Sequence, residues 1–123
     1  MSYRKYKNEP VAIDGISFQS QWEGELYCEY KMLERAGEIQ DLVLQPRFEL
    51  VPSFKHRKRT VRKMEYVADF QFIEKGKTIV VDAKSPATRS KDAYRIKRKL
   101  FLYKYGDGIE FREVCKNGEV HIY

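Results

Sequence analysis

Val67-Ala68-Asp69-Phe70 and Val81-Asp82-Ala83-Lys84 flank the segment Phe72-Ile73-Glu74-Lys75-Gly76-Lys77-Thr78, and no other feature of the chain constrains its fold as much. Both flanks are rich in β-branched and aromatic residues and Gly76 marks a tip, so the segment reads as an antiparallel β-hairpin. With Lys75 and Gly76 as a two-residue turn, Glu74 faces Lys77 and Asp69 faces Asp82. Opposed side chains have Cβ atoms roughly 5 Å apart, a distance at which like charges destabilise a sheet. Strand alternation puts Lys84 on the same face as Asp82. A hard divalent cation takes oxygen ligands and would relieve the repulsion, so the paired acids point to a metal site. A three-residue turn with Gly76 as a bulge gives the opposite answer. It shifts the register by one, separates the acids onto opposite faces and leaves Asp82 and Lys84 as an ordinary ion pair.

A chain of 123 residues is one domain, with room for a modest core of one or two helices on a sheet. Nine tyrosines, seven phenylalanines and one tryptophan argue against disorder. No apolar run approaches the ~20 residues that span a bilayer, and the basic start Met1–Asn8 lacks the apolar segment of a signal peptide. Cys28 and Cys115 are far apart without metal-ligand spacing, so the expectation is reduced thiols in the cytoplasm and no zinc. His56 reads as a loop residue and His121 as a terminal strand residue.

The charge is uneven. Lysine and arginine number 24 against 18 acids, a net +6. Lys55, Arg57, Lys58, Arg59, Arg62 and Lys63 form one basic run; Lys84, Arg89, Lys91, Arg95, Lys97, Arg98, Lys99 and Lys104 form another, interrupted only by Asp92. A solvated face is the commoner fate of a single run. Two runs around a metal site favour a nucleic acid over an anionic membrane.

Residues 1–16 read as a basic arm and loop, and 17–123 as the folded domain. A helix is expected from about Ser20 to Ala36, closed by Gly37, with Trp22, Leu26, Tyr30 and Leu33 as its apolar stripe. Extended pieces lie around Pro46, with Leu42, Leu44, Phe48 and Leu50 alternating, and residues 52–63 form a basic loop. Strands follow over about 64–73 and 77–84, and Ser85-Pro86-Ala87-Thr88 breaks the pattern. A helix over about 90–105 has Ile96, Leu100 and Tyr103 inward and its basic residues outward; Gly106 ends it. Glu110–Val114 and Val120–Tyr123 are strands around an Asn117-Gly118 turn. The fold class is α/β: one compact domain, with a mixed central sheet flanked by helices in the order αβββαβ.

That order, with Asp69 ahead of Asp82-Ala83-Lys84 and an acid on the first helix, resembles the PD-(D/E)XK nuclease superfamily. Ala68 stands where the name has proline; Asp82, Ala83 and Lys84 fit the second motif without departure. Phe18-Gln19-Ser20-x-x-Glu23, Leu44-Gln45-Pro46, Tyr66-Val67-Ala68-Asp69-Phe70 and Lys99-Leu100-Phe101 are similar to a phage and prophage family of Holliday-junction-resolvase-like proteins, over about residues 17–115. The resemblance implies a metal-dependent, structure-selective DNA endonuclease that cleaves four-way junctions in phage recombination or replication, in the host cytoplasm. It implies Mg²⁺ or Mn²⁺ held by Asp69, Asp82, the Ala83 carbonyl and Glu23, with Lys84 catalytic beside Glu23, Asp69 and Asp82. Glu23 also fits a capping box with Ser20, which is a structural role. Gln45 reads equally as a phosphate contact and as a packed surface residue, and Tyr27 as core packing or a support for Glu23. Lys55, Arg57, Lys58, Arg59, Arg62, Lys63, Arg89, Lys91, Arg95 and Lys97 are the expected phosphate contacts. Symmetrical nicking of branched double-stranded DNA implies a homodimer. The rival readings are a flap, nicking or restriction-type nuclease of the same superfamily, and a DNA-binding module without enzymatic activity.

Overall fold

The computed structural model describes residues 9–123, so the first half of the expected basic arm lies outside the described residues. Helix α1 spans Gln21–Arg35. Ser20 caps it, its hydroxyl accepting the Glu23 N–H at 3.1 Å. At the other end Gly37 N–H donates to Glu34 O and Glu38 N–H to Leu33 O, the pair of bonds that closes a helix on a left-handed residue. The remainder of the expected arm is not a loop. Val11–Ile13 (β1) and Ile16–Phe18 (β2) form a hairpin around Asp14-Gly15. It packs on α1 where Gly24 has no side chain: a Cβ there would stand 2.8 Å from Ile13 Cδ1 and 3.0 Å from Val11 Cγ2.

The central sheet has five strands in the order β11-β10-β9-β8-β3: Val120–Ile122, Glu110–Cys115, Lys77–Lys84, Phe70–Glu74 and Gln40–Leu44. Neighbours β9 and β10 are parallel, while β8–β9, β3–β8 and β10–β11 are antiparallel, so the sheet is mixed as expected. One face packs on α1 through Phe70, Phe72, Ile79 and Val81. The other carries Val80 and Phe111 and packs on Phe101 of α3, Asp92–Tyr105. A single turn of helix, α2 (Pro86–Arg89), lies between β9 and α3. The chain order α1, β3, β8, β9, α3, β10 is the expected αβββαβ.

Three expectations need correction. The strand expected over 64–73 is two, β7 (Met64–Val67) and β8, separated at Ala68-Asp69. Its partner breaks at the same level, where Pro46 precedes β4 (Arg47–Val51). The break does not interrupt the pairing: Gln45 N–H donates to Asp69 O at 2.9 Å and Ala68 N–H to Pro46 O at 3.1 Å. The basic 52–63 segment is also more than a loop. β5 (Phe54–His56) pairs with β6 (Arg59–Val61) around Arg57 and Lys58, both at positive φ. Two short two-stranded ladders, β4–β7 and then β5–β6, therefore lead away from the central sheet at Asp69, and the outer one ends in basic residues.

The third correction is the inward face of α3. Ile96 and Tyr103 are exposed, at 59% and 90%, and Phe101 is the fully buried residue. Tyr94, Phe101 and Tyr105 face the sheet, with Phe101 against Phe48, Tyr66 and Phe111. An aromatic face won over the aliphatic one because β4, β7 and β10 present aromatic partners to it. Arg98, expected outward, points inward to Glu113 at 2.7 Å.

Candidate active site

The two-residue turn is the one observed: Lys75 and Gly76 have φ of 51° and 77°, and Glu74 pairs with Lys77. Gly76 adopts that conformation without a Cβ penalty, which fixes the register of everything behind it. The ladder runs to Phe70↔Val81, and Asp69 N–H then donates to Val81 O at 3.1 Å. Asp69 and Asp82 thus become neighbours. Asp69 Oδ2 also accepts the Ala83 N–H at 2.7 Å.

Asp82 is 1% exposed. Its Oδ2 accepts the Tyr66 hydroxyl and lies 3.4 Å from Lys84 Nζ. Burial, then the negative charge of Asp69, push its carboxyl well above the usual range; Lys84 and Tyr66 oppose the shift without cancelling it. Lys84 is held a second time, its Nζ 4.6 Å from the centre of the Tyr94 ring.

Glu23 enters from α1. It is 8% exposed, and the Ser20 cap orients its backbone while leaving its carboxylate free, since the Ser20 N–H makes no bond to it. That is half a capping box. Burial, then Asp69, raise the Glu23 pKa to about 7, with Lys84 pulling the other way. Glu23, Asp69, Ala83 and Lys84 line one cleft of about 610 Å³, walled by Trp22, Ser85, Thr88, Lys116 and Asn117. The Trp22 indole donates to Val114 O at 3.1 Å, which holds this wall to β10. Gln45, at φ 51°, lines a smaller recess that Glu23 and Asp69 share. Tyr27 turns away and donates to Asp14 at 3.0 Å, so it secures the β1–β2 hairpin.

A measurable consequence follows for the metal-free protein. The folded pKa of Glu23 lies above its ordinary 4.5, so the stability carried by its protonated form is fully present below about 4.5 and is lost as pH rises through about 7. Glu23→Gln should flatten this part of the profile and gain on the order of 1–2 kcal/mol over the parent at pH 8, less than the full shift because the cleft admits water. Urea unfolding at pH 5 and pH 8 measures it; parallel profiles for the two proteins would put the carboxylate in bulk water.

The expected phosphate contacts divide. Lys55, Arg57, Lys58, Arg59, Arg62 and Lys63 are all exposed on and beside the β5–β6 hairpin. Lys63 pairs with Glu65 at 3.3 Å. Lys91, Arg95 and Lys97 are exposed around the start of α3, with Arg95 3.8 Å from Asp92. Arg89 is different: its Nε lies 2.7 Å from buried Glu113, so its guanidinium serves the fold. Two groups escaped the sequence. Tyr66 and Tyr94 touch the site, and the only signal was Tyr66 lying on the Ala68 face of its strand. Cys115, Glu119 and His121 bring their ligand atoms within 4.8 Å of one another at the β10–β11 turn. Burial raises the Cys115 thiol, however, and a protonated thiol is a poor metal ligand. Glu23, Asp69 and Asp82 do not meet as closely as that trio.

No helix among the described residues is long and apolar enough to cross a membrane. No curated protein matches the chain. A solved protein described as "Crystal structure of SSO0001" is similar with a TM-score of 0.44 and 10% identity, over 81% of this chain and 48% of that one, so the chain spans about half its length. The family described as "Protein of unknown function (DUF1064)" matches residues 3–118, nearly the whole chain, and the chain belongs to it.

Proposed function

We propose that this chain is a metal-dependent DNA endonuclease of the PD-(D/E)XK kind, acting on branched DNA and on four-way junctions first. One observation carries the reading: two neighbouring carboxylates, Asp69 and Asp82, lie at the end of the sheet with Lys84 3.4 Å from the second. Strands gain no stability from that pairing, whereas a hard cation would neutralise it. The donor set fits Mg²⁺ or Mn²⁺, with Asp69, Asp82 and the Ala83 carbonyl as ligands. Glu23 lines the same cleft as Asp69 and Ala83 and would join directly or through a water. Such an ion supplies Lewis acidity at the phosphate and a more acidic water. Glu23, raised to about 7 in the metal-free protein, stands in the same cleft and would accept a proton from bound water. Lys84 is placed to stabilise charge developing on the phosphate oxygens. The exposed basic residues of the β5–β6 tip and of α3 would hold the phosphodiester backbone without reading sequence. Two nicks across a junction call for a C₂ dimer, and the cytoplasm is the compartment where such a substrate is met.

The decisive experiment presents purified protein and Mg²⁺ with a four-way junction, a flap, a nicked duplex and a plain duplex. Preferential paired nicking of the junction is the expected result. Cleavage favouring flap or nick would move the proposal to a sister nuclease, and binding without cleavage would reduce the chain to a DNA-binding module.

The β5–β6 tip has its own expected result. Replacing Arg57, Lys58 and Arg59 with alanine should weaken binding to every DNA shape alike. The salt slope should fall by roughly 0.9 per lost contact, about 2.7 in all. An unchanged slope in a filter-binding titration would make the tip an ordinary solvated hairpin.

A further inference from the structure

Tyr66 reaches Asp82 from β7, and Tyr94 reaches Lys84 from α3. The Tyr66 hydroxyl donates to Asp82 Oδ2, the same oxygen that Lys84 Nζ approaches at 3.4 Å. That oxygen is therefore occupied. The Tyr94 ring lies under the Lys84 ammonium, 4.6 Å from centre to nitrogen, while its hydroxyl donates to Glu113. The two rings are 6.4 Å apart. Glu113 is fully buried and is the register partner of Asp82 on the parallel strand β10. It anchors the assembly through Arg89 and Arg98, each at 2.7 Å, and Tyr123 at 3.0 Å.

We infer that Tyr66 and Tyr94 are positioning residues with divided duties: Tyr66 fixes which Asp82 oxygen faces the cation, and Tyr94 fixes where the Lys84 ammonium stands. The inference deepens the nuclease reading and rests on it. A hydroxyl that holds a ligating carboxylate sets ligand orientation, and losing such a partner costs about 10–100-fold in metal affinity or activity. A ring beneath an ammonium acts on charge placement instead. The two substitutions should therefore have different signatures. Tyr66→Phe should weaken Mn²⁺ binding about 10–100-fold by calorimetry, and excess Mn²⁺ should restore most of the cleavage rate. Tyr94→Leu should leave Mn²⁺ affinity near the parent value and lower the rate at saturating Mn²⁺ by roughly 10²-fold. Tyr94→Phe keeps the ring and should recover most of that rate.

A readout without metal or DNA separates the two layers of the proposal. In the metal-free protein, ring-current shifts should move the Lys84 ε-methylene resonances in the parent and in Tyr94→Phe, and the shift should vanish in Tyr94→Leu. An unshifted Lys84 in the parent overturns the inference whatever the enzymology shows. So does an unaltered Mn²⁺ affinity in Tyr66→Phe, or a parental rate in a folded Tyr94→Leu. A shifted Lys84 in a parent that neither binds Mn²⁺ nor cuts DNA sustains the Tyr94 contact and overturns the nuclease reading, taking the catalytic duty of both tyrosines with it.

Discussion

Replacing Glu113 with alanine is expected to cost about 3–5 kcal/mol of folding stability, the usual loss when one partner of a buried ion pair is removed. Among the described residues no other side chain serves as many partners. Its carboxylate accepts from Arg89, Arg98, Tyr94 and Tyr123 and has no exposure to solvent. Burial alone would raise its pKa, yet the two tyrosines and two arginines outweigh burial and hold it below the usual range. The alanine variant would leave two cations and two hydroxyls facing a cavity. A domain of this size has only about 5–15 kcal/mol to lose, so a large part of the native margin would go. Urea unfolding measures it, with Glu113→Gln as the milder companion that keeps acceptor oxygen but not charge. A loss below 1 kcal/mol would mean that water replaces the carboxylate readily and that α3 docks by its aromatic face alone.

Asp82→Asn carries the largest expected effect on activity. On the proposed reading it removes a charge the cation needs and adds no bulk, so cleavage should fall below detection while junction binding stays intact or tightens. The same change should make the metal-free protein slightly more stable near neutral pH. Asp82 is buried against Asp69, with its carboxyl pushed up by burial first and Asp69 second, so the neutral amide resembles the form the fold prefers. The amide oxygen can still accept from Tyr66. Cleavage assays with Mg²⁺ and thermal melts with chelator test the two halves separately. Retained cleavage would remove Asp82 from the site and end the metal reading.

The sequence disclosed the hairpin that matters most because its turn is chemically explicit. Lys75-Gly76 admits two residues at positive φ, and the flanking alternation does the rest. Arg57-Lys58 makes the same kind of turn without glycine, asparagine or aspartate, so the β5–β6 hairpin read as a loop. Asp14-Gly15 did carry the signal, but the basic residues before it made the whole segment look like an arm. Pro46 correctly marked a break in its own strand, whereas the matching break at Ala68-Asp69 depends on a partner that is distant in sequence. The inward face of α3 was misread for a related reason. Leu100 does pack against the core, but Ile96 is more apolar than Tyr94 and Arg98, and only the presence of Phe111, Tyr66 and Glu113 opposite buries the latter instead. Candidate ligands were legible because motif spacing is local. Their supports, Tyr66, Tyr94 and Glu113, come from three separate elements and carry no local pattern.

The two ladders give the site a sense of length. From Asp69 back to Lys58 the chain takes eleven residue steps, through β7 and β6 with an unpaired Arg62-Lys63 between them, and its pairing is carried through the bend at Ala68-Asp69. At about 3.3 Å per residue Lys58 at the tip stands no more than roughly 36 Å from Asp69. One turn of B-form DNA is about 34 Å. On the proposed reading the two ladders are a measuring stick, one end at the scissile phosphate and the other at most about a helical turn away. Its markings are main-chain hydrogen bonds, so side-chain changes along it alter the grip on DNA, while an inserted or deleted residue pair alters the reach.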